Sequence, residues 1–315
     1  MPPLVIQTEN LPQECSDWLA ERVDLHICPP DSLRFKELLP EAQGLVIRTY
    51  TTVDAAMLQA ANKLTVVGRA GVGVDNIDIH ACTENNIRVV HTPDANSEAV
   101  VEFVLSTMLP RLRPLHKIET TLDIDEWKLH RDASVCQTQF DETTLGIIGF
   151  GRVGSRLGMT AKNLGFKVLF YDIKKIEDDH GCDVVDLDSL LRESNVISVH
   201  VDGRLENNNL ICAEAFSMMK SDSIFINTSR GFVVNPNDLT SHLTQNPGAF
   251  AILDVHNPEP FTASYPLLGI ENANLYPHIA AKTETAMKNM GWVVKDVELV
   301  LRGEEPAYEA KSKYS

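Results

Sequence analysis

Residues 144–172 read TLGIIGFGRVGSRLGMTAKNLGFKVLFYD, and the fold can be worked out from this stretch outward. A short apolar run leads into Gly149-Phe150-Gly151-Arg152-Val153-Gly154. A helix-forming segment follows, and then a second apolar run, Phe166–Tyr171, which ends at Asp172. The order predicts a strand, a glycine turn, a helix and a second strand, as in a doubly wound parallel sheet.

The three glycines, Gly149, Gly151 and Gly154, meet three separate needs of a turn that binds a dinucleotide. One allows a tight turn, one lets a pyrophosphate approach the backbone, and one lets helix and strand pack closely. The helix N-terminus then offers N–H groups and a positive dipole end to the phosphates. Asp172 is placed to accept hydrogen bonds from an adenosine ribose and repels a 2′-phosphate, so the sequence predicts NAD rather than NADP. The glycine pattern alone is weakly specific, because glycines also form ordinary turns.

Length and composition limit the classes of protein to consider. The 315 residues suffice for about two domains, each with its own core. Hydrophobic residues make up 43% of the chain and the mean hydropathy is -0.11, as in ordinary globular proteins. The net charge of -16 argues against nucleic-acid or anionic-membrane partners, because both need clustered Lys and Arg. An anionic substrate would therefore need arginines in the site itself.

Cysteine usage and the N-terminus indicate the compartment. The six cysteines lie far apart, with no metal-ligand spacing, so we expect reduced core thiols and no metal site. The first ten residues, MPPLVIQTEN, lack the features of a secretory signal. No apolar run approaches the roughly 18 residues of a membrane span. We therefore expect a cytoplasmic protein.

Short apolar runs alternate with mixed segments along the whole chain, which predicts α/β architecture with parallel sheets. The predicted fold is two Rossmann-like doubly wound parallel-sheet domains with a ligand cleft between them. We expect the substrate domain to comprise residues 1–95 plus 284–315 and the NAD-binding domain to comprise residues 96–283. Long helices are predicted at 96–120 and 284–301, an irregular polar crossing at 121–141, and a partly mobile end at 304–315.

The carboxyl ends of parallel strands are where open α/β sheets bind ligands, and three candidate catalytic residues lie there. The guanidinium of Arg230 can hold a carboxylate with two hydrogen bonds and polarise an adjacent carbonyl. Glu259 lies between two prolines that stiffen its loop. His278 can exchange a proton with a substrate hydroxyl near neutral pH, and a carboxylate partner would stabilise its imidazolium. The alternatives to these catalytic roles are a surface arginine, a solvent-exposed glutamate and a core histidine whose hydrogen bonds are purely structural.

Other strand ends carry further candidates. His200 is interpreted as lining the cofactor site, and His256 as a structural or rim residue. The two glycines of the segment Arg69–Asn76 (RAGVGVDN) let backbone N–H groups face a ligand carboxylate, and Arg48 could add a charge. A tight turn and a surface salt bridge are the structural alternatives for these two features.

Five motifs, in this order and spacing, resemble those of the D-isomer-specific 2-hydroxyacid dehydrogenases: VVGRAGVGVDNID, GIIGFGRVG, NTSRG, DVHNPEP and PHIA. The resemblance covers nearly the whole chain and looks strongest to the D-3-phosphoglycerate dehydrogenase branch, in a short form. It implies an NAD-dependent enzyme in which His278 is the acid/base, Glu259 its partner and Arg230 the clamp on the substrate carboxylate and carbonyl. It also implies a homodimer formed through the nucleotide domain.

The resemblance further implies two sets of binding residues. The substrate carboxylate would be held by the amides of Val72 and Gly73, with Arg48 nearby. The implied cofactor contacts are Gly149, Gly151, Arg152, Val153, Gly154, Asp172, His200, Val201, Thr228, Ser229, Asp254 and Ala280. Of these, Asp254 would contact the carboxamide of the nicotinamide.

The chain departs from the family pattern at three places. Asp202 lies in the Val201–Gly203 segment where a proline usually follows His200, Glu142-Thr143 replaces a usual Gly-Lys, and Lys282 lies where a serine or threonine often follows the histidine. The substrate therefore stays open. 3-Phosphoglycerate is one candidate, hydroxypyruvate or glyoxylate reduction is another, and a non-catalytic NAD(H)-sensing protein of the corepressor type is a third.

Overall fold

A computed structural model describes residues 2–115, 117–136 and 138–310. The chain divides into two compact units, Met1–Asn96 with Ala281–Ser315, and Ser97–Ala280. Each unit contains one parallel β-sheet with helices between its strands, which confirms the predicted α/β class. The chain passes from one unit to the other at residues 96–97 and again at residues 280–281.

The first unit is built on a five-stranded sheet in the order β2-β1-β3-β4-β5, and every pairing is parallel. Its strands are β1 Leu4–Gln7, β2 Asp24–Ile27, β3 Gly44–Ile47, β4 Val66–Arg69 and β5 Arg88–His91. Its first helices are α1 Gln13–Ala20, α2 Leu33–Leu38, α3 Ala55–Ala60 and α4 Ile79–Glu84. The β3 strand is apolar and buried at every position, as expected for a central strand covered on both faces.

The second unit has seven parallel strands in the order β12-β11-β10-β9-β6-β7-β8. They are β6 Thr144–Ile148, β7 Lys167–Tyr171, β8 Asp183–Val184, β9 Val196–Val199, β10 Ile224–Asn227, β11 Phe250–Leu253 and β12 Ala273–Leu275. Its helices are α5 Ser97–Leu112, α6 Ile124–Ala133, α7 Arg152–Asn163, α8 Leu187–Glu193, α9 Ala213–Met218 and α10 Pro236–Gln245. The chain runs from β6 outward to β8 and then returns to place β9 on the other side of β6. Ligands of doubly wound sheets bind at such a reversal, where two strand ends diverge.

Two helices, α11 Glu284–Gly291 and α12 Val293–Leu301, return to the first unit. Val293, Val294 and Val297 are fully buried there, in a cluster with residues of β1, β3 and β4. The prediction of a single helix over this range is wrong, because it breaks between Gly291 and Val293. Glycine is a poor helix former, and the Trp292 ring at the break packs edge-to-face on Trp18, with centroids 6.2 Å apart.

The segment after α12 contacts the first unit as far as residue 310, and the rest of the end that we predicted to be partly mobile lies outside the described residues. The Ala310 N–H donates to the Val89 carbonyl at 2.8 Å, and Val90 forms an antiparallel bridge with Glu309. The Arg88 guanidinium contacts the carboxylates of Glu305 and Glu309, each at 2.7 Å. β5 lies at the edge of its sheet, and this segment covers backbone groups that an edge strand leaves unpaired.

The region between residues 96 and 141 also differs from its prediction. The helix predicted at 96–120 continues through Pro110 but ends at Leu112, and the stretch expected to be irregular contains α6. The start of α6 is a reciprocal capping box: the Asp123 side chain accepts from the Glu126 N–H at 2.9 Å, and the Glu126 side chain accepts from the Asp123 N–H at 3.0 Å. The sequence signal for this helix was present, as a D-x-x-E pattern.

None of the helices in residues 2–115, 117–136 and 138–310 combines the length and the apolarity that crossing a bilayer requires.

Candidate active site

The glycine turn after β6 lies at the reversal of strand order. Gly149 has φ +90°, and a β-carbon there would approach the His200 carbonyl oxygen to 2.8 Å. A β-carbon on Gly154 would lie 2.1 Å from the Gly149 carbonyl oxygen, whereas one on Gly151 would meet no atom within 4 Å. Gly149 therefore serves the tight turn and Gly154 the close packing. Gly151 leaves open space beside the backbone, which is what the approach of a pyrophosphate requires.

The N-terminus of α7 begins directly after Gly151, which provides no side-chain cap. The first N–H groups of the helix, beginning with Arg152 and Val153, have no partner within the helix and can face an anion. The Asp172 carboxylate lies beside this turn: one oxygen accepts from the Phe150 N–H and the other from the Lys174 N–H, both at 2.8 Å. Each oxygen keeps a second lone pair for a ribose hydroxyl. These residues fit a dinucleotide.

His200 follows β9 on the opposite side of the reversal. Its Nε2 contacts the Ser198 hydroxyl at 2.8 Å, and its Nδ1 contacts the Thr228 hydroxyl at 3.3 Å. Burial lowers the pKa of His200 to about 3, so its imidazole is neutral at physiological pH. The Thr228 contact joins the ends of β9 and β10, and the Val201 amide lies next to Gly149. The side chain therefore presents a polar but uncharged surface near the glycine turn.

The negative charge of Asp202 is paired locally. The Arg204 Nε donates to the Asp202 carboxylate at 2.6 Å, and the Asn207 side chain donates to the Asp202 carbonyl at 2.9 Å. The hydrogen bond from Asp202 raises the pKa of Arg204. Because its charge is matched within this short loop, Asp202 adds little net negative potential where the family usually has a proline.

Asp254 shapes the turn that carries His278. The buried carboxylate accepts from the Ile279 N–H at 2.7 Å and from the Ala280 N–H at 2.9 Å, while the Asp254 carbonyl accepts from the His278 N–H at 2.9 Å. His278 itself has φ +55°, in the left-handed region, which is uncommon for a non-glycine residue. Burial raises the pKa of Asp254, although the two backbone hydrogen bonds oppose this change. Asp254 therefore fixes the backbone from which the His278 ring projects.

His278 and Glu259 are in direct contact. The Glu259 Oε2 lies 2.8 Å from the His278 Nδ1, and the Glu259 Oε1 accepts from the His256 N–H at 2.7 Å. Burial raises the pKa of Glu259, but the hydrogen bonds from His278 and from the His256 N–H outweigh it, so the pKa lies below its ordinary value. The ionised carboxylate accepts from Nδ1–H, which leaves Nε2 of His278 to meet a substrate.

The turn that carries Arg230 lies against the loop that carries Glu259. A β-carbon on Gly231 would lie 2.0 Å from the His256 carbonyl carbon, so the two backbones touch. Arg230 has an extended backbone, its Nη1 donates to the Ser229 carbonyl at 2.7 Å, and the Asn227 side chain donates to the Arg230 carbonyl at 3.0 Å. The second unit thus brings the loops of all three predicted catalytic residues together, with His278 and Glu259 hydrogen-bonded.

The predicted carboxylate-binding residues belong to the first unit. Gly71 has φ +153°, the His91 Nδ1 donates to the Val72 carbonyl at 2.9 Å, and the Asn76 side chain donates to the Thr51 carbonyl at 2.6 Å. Within the described part of the chain, the N–H groups of Val72 and Gly73 donate no hydrogen bond. They are therefore available to an anion.

Glu9 organises the loop that carries Arg48, a role that the sequence analysis missed. Its carboxylate accepts the backbone N–H groups of four consecutive residues, Arg48–Thr51, at 3.0–3.1 Å. The Arg48 guanidinium donates to the Asn10 carbonyl at 3.1 Å and lies 3.3 Å from the Met287 sulfur. Burial lowers the pKa of Arg48, and Glu9 opposes this change. No sequence motif signals such a contact, because Glu9 and the loop lie about 40 residues apart.

Comparison with known proteins places this arrangement in a family. Residues 105–280 match the family described as D-isomer specific 2-hydroxyacid dehydrogenase, NAD binding domain. The chain is 34% identical over 298 residues to a D-3-phosphoglycerate dehydrogenase of Archaeoglobus fulgidus, covering 93% of this chain but only 56% of that protein. The chain thus spans about half the length of this relative.

Two further relatives are similar over nearly their full length. A hydroxypyruvate reductase of Thermotoga maritima is 32% identical over 287 residues, which cover 90% of this chain and 93% of that protein. The crystal structure of an Aquifex aeolicus D-lactate dehydrogenase, complexed with NAD and lactic acid, aligns with a TM-score of 0.82 at 28% identity over 96% of each chain. Together with the matched NAD-binding domain, these similarities show that the chain belongs to the D-isomer specific 2-hydroxyacid dehydrogenase family.

Proposed function

We propose that the chain is an NAD-dependent oxidoreductase that interconverts a small D-2-hydroxy acid and its 2-oxo acid. The observation that carries this proposal is the 2.8 Å contact between His278 and Glu259 at the ends of neighbouring strands. A histidine paired with a carboxylate can hold and release a proton near neutral pH, as the alcohol–ketone interconversion requires. The open turn at Gly151 and the fixed Asp172 carboxylate support NAD as the second reactant.

The protein residues would divide the work in the following way. In oxidation, the Nε2 atom of His278 takes the hydroxyl proton while the bond between C2 and its hydrogen breaks and the carbonyl forms. Glu259 stabilises the resulting imidazolium, and Arg230 holds the substrate carboxylate and lowers the energy of charge on the reacting oxygen. Bound NAD supplies the hydride acceptor in this direction and, once reduced, the hydride donor in the other. In the first unit, the Val72 and Gly73 amides would bind the substrate carboxylate.

A substrate with a second anionic group, such as 3-phosphoglycerate, is the first candidate. Arg48 and Lys282 are two neighbouring cations of the first unit. Burial lowers the pKa of Lys282 and the positive charge of Arg48 lowers it further, whereas the carboxylate of Glu9 raises it. Two neighbouring cations favour the binding of an anion. A phosphate or a second carboxylate would therefore be preferred to a methyl group.

Hydroxypyruvate or glyoxylate is the second candidate. The Thermotoga maritima hydroxypyruvate reductase is 32% identical to this chain over 287 residues. A neutral hydroxymethyl group or a hydrogen would then occupy the position of the second anion.

We also propose a cytoplasmic homodimer. All six cysteines are free thiols, as in reducing compartments. Helix α6 of the second unit has no buried residue, although it carries Ile124, Trp127 and Leu129, which are 66%, 47% and 70% exposed. These exposed apolar side chains favour a protein partner, and a second copy of the chain is our choice. Analytical ultracentrifugation tests this assignment with a Trp127→Glu, Leu129→Glu double variant. A dimeric wild type and a monomeric variant would support it.

A substrate screen tests the proposed activity. NADH oxidation would be followed with 3-phosphohydroxypyruvate, hydroxypyruvate, glyoxylate and pyruvate, and NADPH would replace NADH in a parallel series. We expect turnover of at least one 2-oxo acid with NADH, and a loss of about 10²–10⁴-fold in His278→Ala with NADH binding retained. An absence of turnover on all four acids would contradict the enzyme proposal and favour the NAD(H)-sensing alternative.

A further inference from the structure

The contact between Glu259 and His278 is part of a closed ring of interactions. The His256 N–H donates to the Glu259 Oε1 at 2.7 Å, and the Glu259 Oε2 meets the His278 Nδ1 at 2.8 Å. From His278 the chain leads back two residues to Tyr276, whose carbonyl contacts the His256 Nε2 at 2.9 Å. The ring therefore starts and ends at His256, through its backbone on one side and its imidazole on the other.

The hydrogen-bond partners of the His256 ring define its tautomer. A carbonyl oxygen can only accept, so the Nε2 atom that faces Tyr276 carries the proton. The Nδ1 atom lies 3.2 Å from the Tyr265 hydroxyl, which donates to it. Burial lowers the pKa of His256, and the nearby His278 lowers it further. The Tyr276 carbonyl, Glu259 and Asp254 act in the opposite direction and raise it. Among the described residues, these groups and the Tyr265 hydroxyl are the polar and titratable groups that face the ring.

Aromatic side chains hold the same imidazole from its sides. Phe261 and Tyr265 are stacked, with centroids 4.6 Å apart, and both meet the His256 ring edge-to-face, at 4.8 and 5.4 Å. His256 is only 6% exposed. Rotation of the imidazole away from Tyr276 would break both hydrogen bonds and both ring contacts, so the structure over-determines its orientation.

The same residue also borders the turn that carries Arg230. Gly231 approaches the His256–Asn257 peptide so closely that a β-carbon would meet the His256 carbonyl carbon at 2.0 Å. The backbone of His256 is thus in contact with the Arg230 turn, its N–H with Glu259, and its ring with the segment that leads to His278.

We propose that His256 is a positioning residue for the acid–base pair: its imidazole ties the end of β12 to the loop after β11, so that Glu259 and His278 meet. The expected effect of His256 on catalysis rests on the proposed function. In this assignment, His256 contacts neither substrate nor cofactor and acts only through Glu259 and His278. A histidine gives this position a donor for Tyr276, an acceptor for Tyr265 and a flat ring for the aromatic pair.

The test compares His256→Phe with His256→Gln. Phenylalanine keeps a flat ring between Phe261 and Tyr265 but removes both hydrogen bonds, whereas glutamine keeps an N–H donor for the Tyr276 carbonyl. We expect kcat of the Phe variant to fall by about 10–100-fold, while its KM for NADH stays within about twofold of the wild-type value. The Gln variant should recover at least half of this loss in kcat on a logarithmic scale. In the reducing direction, the falling limb of kcat/KM against pH should move to lower pH in the Phe variant, because the imidazolium of His278 loses part of its carboxylate support.

His242→Phe is the control, because His242 is a half-buried histidine whose ring likewise contacts an aromatic ring, Phe216 at 5.3 Å. It should leave kcat and the pH profile unchanged. An unchanged pH profile and kcat in His256→Phe would overturn the proposal. A loss that glutamine does not recover, with an unshifted pH profile, would also overturn it and reduce His256 to a packing residue.

A measurement without turnover separates this inference from the proposed activity. In the wild type, ¹⁵N spectra of the histidine rings at pH 7.5 should show His256 as the Nε2–H tautomer, and the hydrogen-bonded Nδ1–H resonance of His278 should disappear in His256→Phe. Persistence of that resonance would overturn the positioning role. If the wild type reduces none of the 2-oxo acids, the proposed function fails while this measurement still decides the role of His256.

Discussion

Gly231 and His256 are in backbone contact: a β-carbon on Gly231 would lie 2.0 Å from the carbonyl carbon of His256 and 2.6 Å from the Asn257 nitrogen. The contact joins the turn after β10 to the loop after β11, and so fixes the position of Arg230 relative to Glu259. Because the neighbour is backbone, no side chain can rotate to make room.

Gly231→Ala should therefore separate the two loops. Overpacking in a tight site costs about 1–3 kcal/mol, and a similar loss in the transition state lowers kcat/KM by about 10–100-fold. Steady-state kinetics and thermal unfolding of the variant would measure both effects. Gly248→Ala is the control, because its β-carbon would meet its nearest atom at an ordinary 3.4 Å. Equal kinetics in Gly231→Ala and the wild type would contradict the contact.

Replacement by alanine at Gly151 and at Gly154, at the start of α7, should affect different properties of the protein: NADH binding in the first case and stability in the second. An alanine at Gly151 projects into open space, so the protein should keep its stability but bind NADH about tenfold more weakly, since the methyl group occupies the path of the pyrophosphate. An alanine at Gly154 would lie 2.1 Å from the Gly149 carbonyl oxygen and should lower the unfolding temperature. Calorimetry and fluorescence titration with NADH distinguish the two outcomes. A Gly151→Ala variant with unchanged NADH affinity would contradict the role of this turn.

Asp172 should set the cofactor preference. Asp172→Asn keeps one acceptor oxygen for the Phe150 N–H but loses the charge and the acceptor for the Lys174 N–H, whereas Asp172→Ala would remove both acceptors. We expect the Asn variant to bind NADH about tenfold more weakly, because a hydrogen bond to a charged group contributes about 1.5–3 kcal/mol. Its preference for NADH over NADPH should shrink as well. A wild type that binds NADPH better than NADH would refute the NAD assignment.

The main features of this fold could be predicted from local sequence patterns, because each one depends on neighbours along the chain. The glycine turn at Gly149–Gly154, the βαβ order and the strand-end positions of Glu259 and His278 are of this kind. The features that prediction missed depend on contacts between distant segments, such as Glu9 with the loop Arg48–Thr51 and the pairing of Glu309 with Val90. Helix α6 is different, since its capping box was visible at Asp123 but its polar composition suggested a loop.

Glu259 should contribute stability only when it is ionised. Its pKa is lowered in the folded chain, so its contribution is complete above the ordinary carboxyl pKa and is lost as pH falls through the lowered value. Glu259→Gln should therefore lower the urea midpoint more at pH 7 than at pH 3, because protonation of the wild-type carboxyl group removes this contribution as pH falls. It should also lower kcat at pH 7, because the imidazolium of His278 loses its ionised partner. An equal loss of stability at both pH values would indicate lost packing rather than lost charge.

His200 should make the protein sensitive to acid at a pH where carboxylates are still ionised. Burial lowers its pKa to about 3, whereas an unfolded histidine titrates near 6.5. The unfolded chain therefore binds a proton first, and the stability that the neutral ring provides above about pH 6.5 is lost progressively as pH falls toward 3. In His200→Gln, the decrease in urea midpoint between pH 7.5 and pH 5 should be smaller than in the wild type. His80→Gln is the control, since the His80 side chain is 66% exposed. If both variants lose stability between these two pH values as the wild type does, His200 is not held neutral by its surroundings.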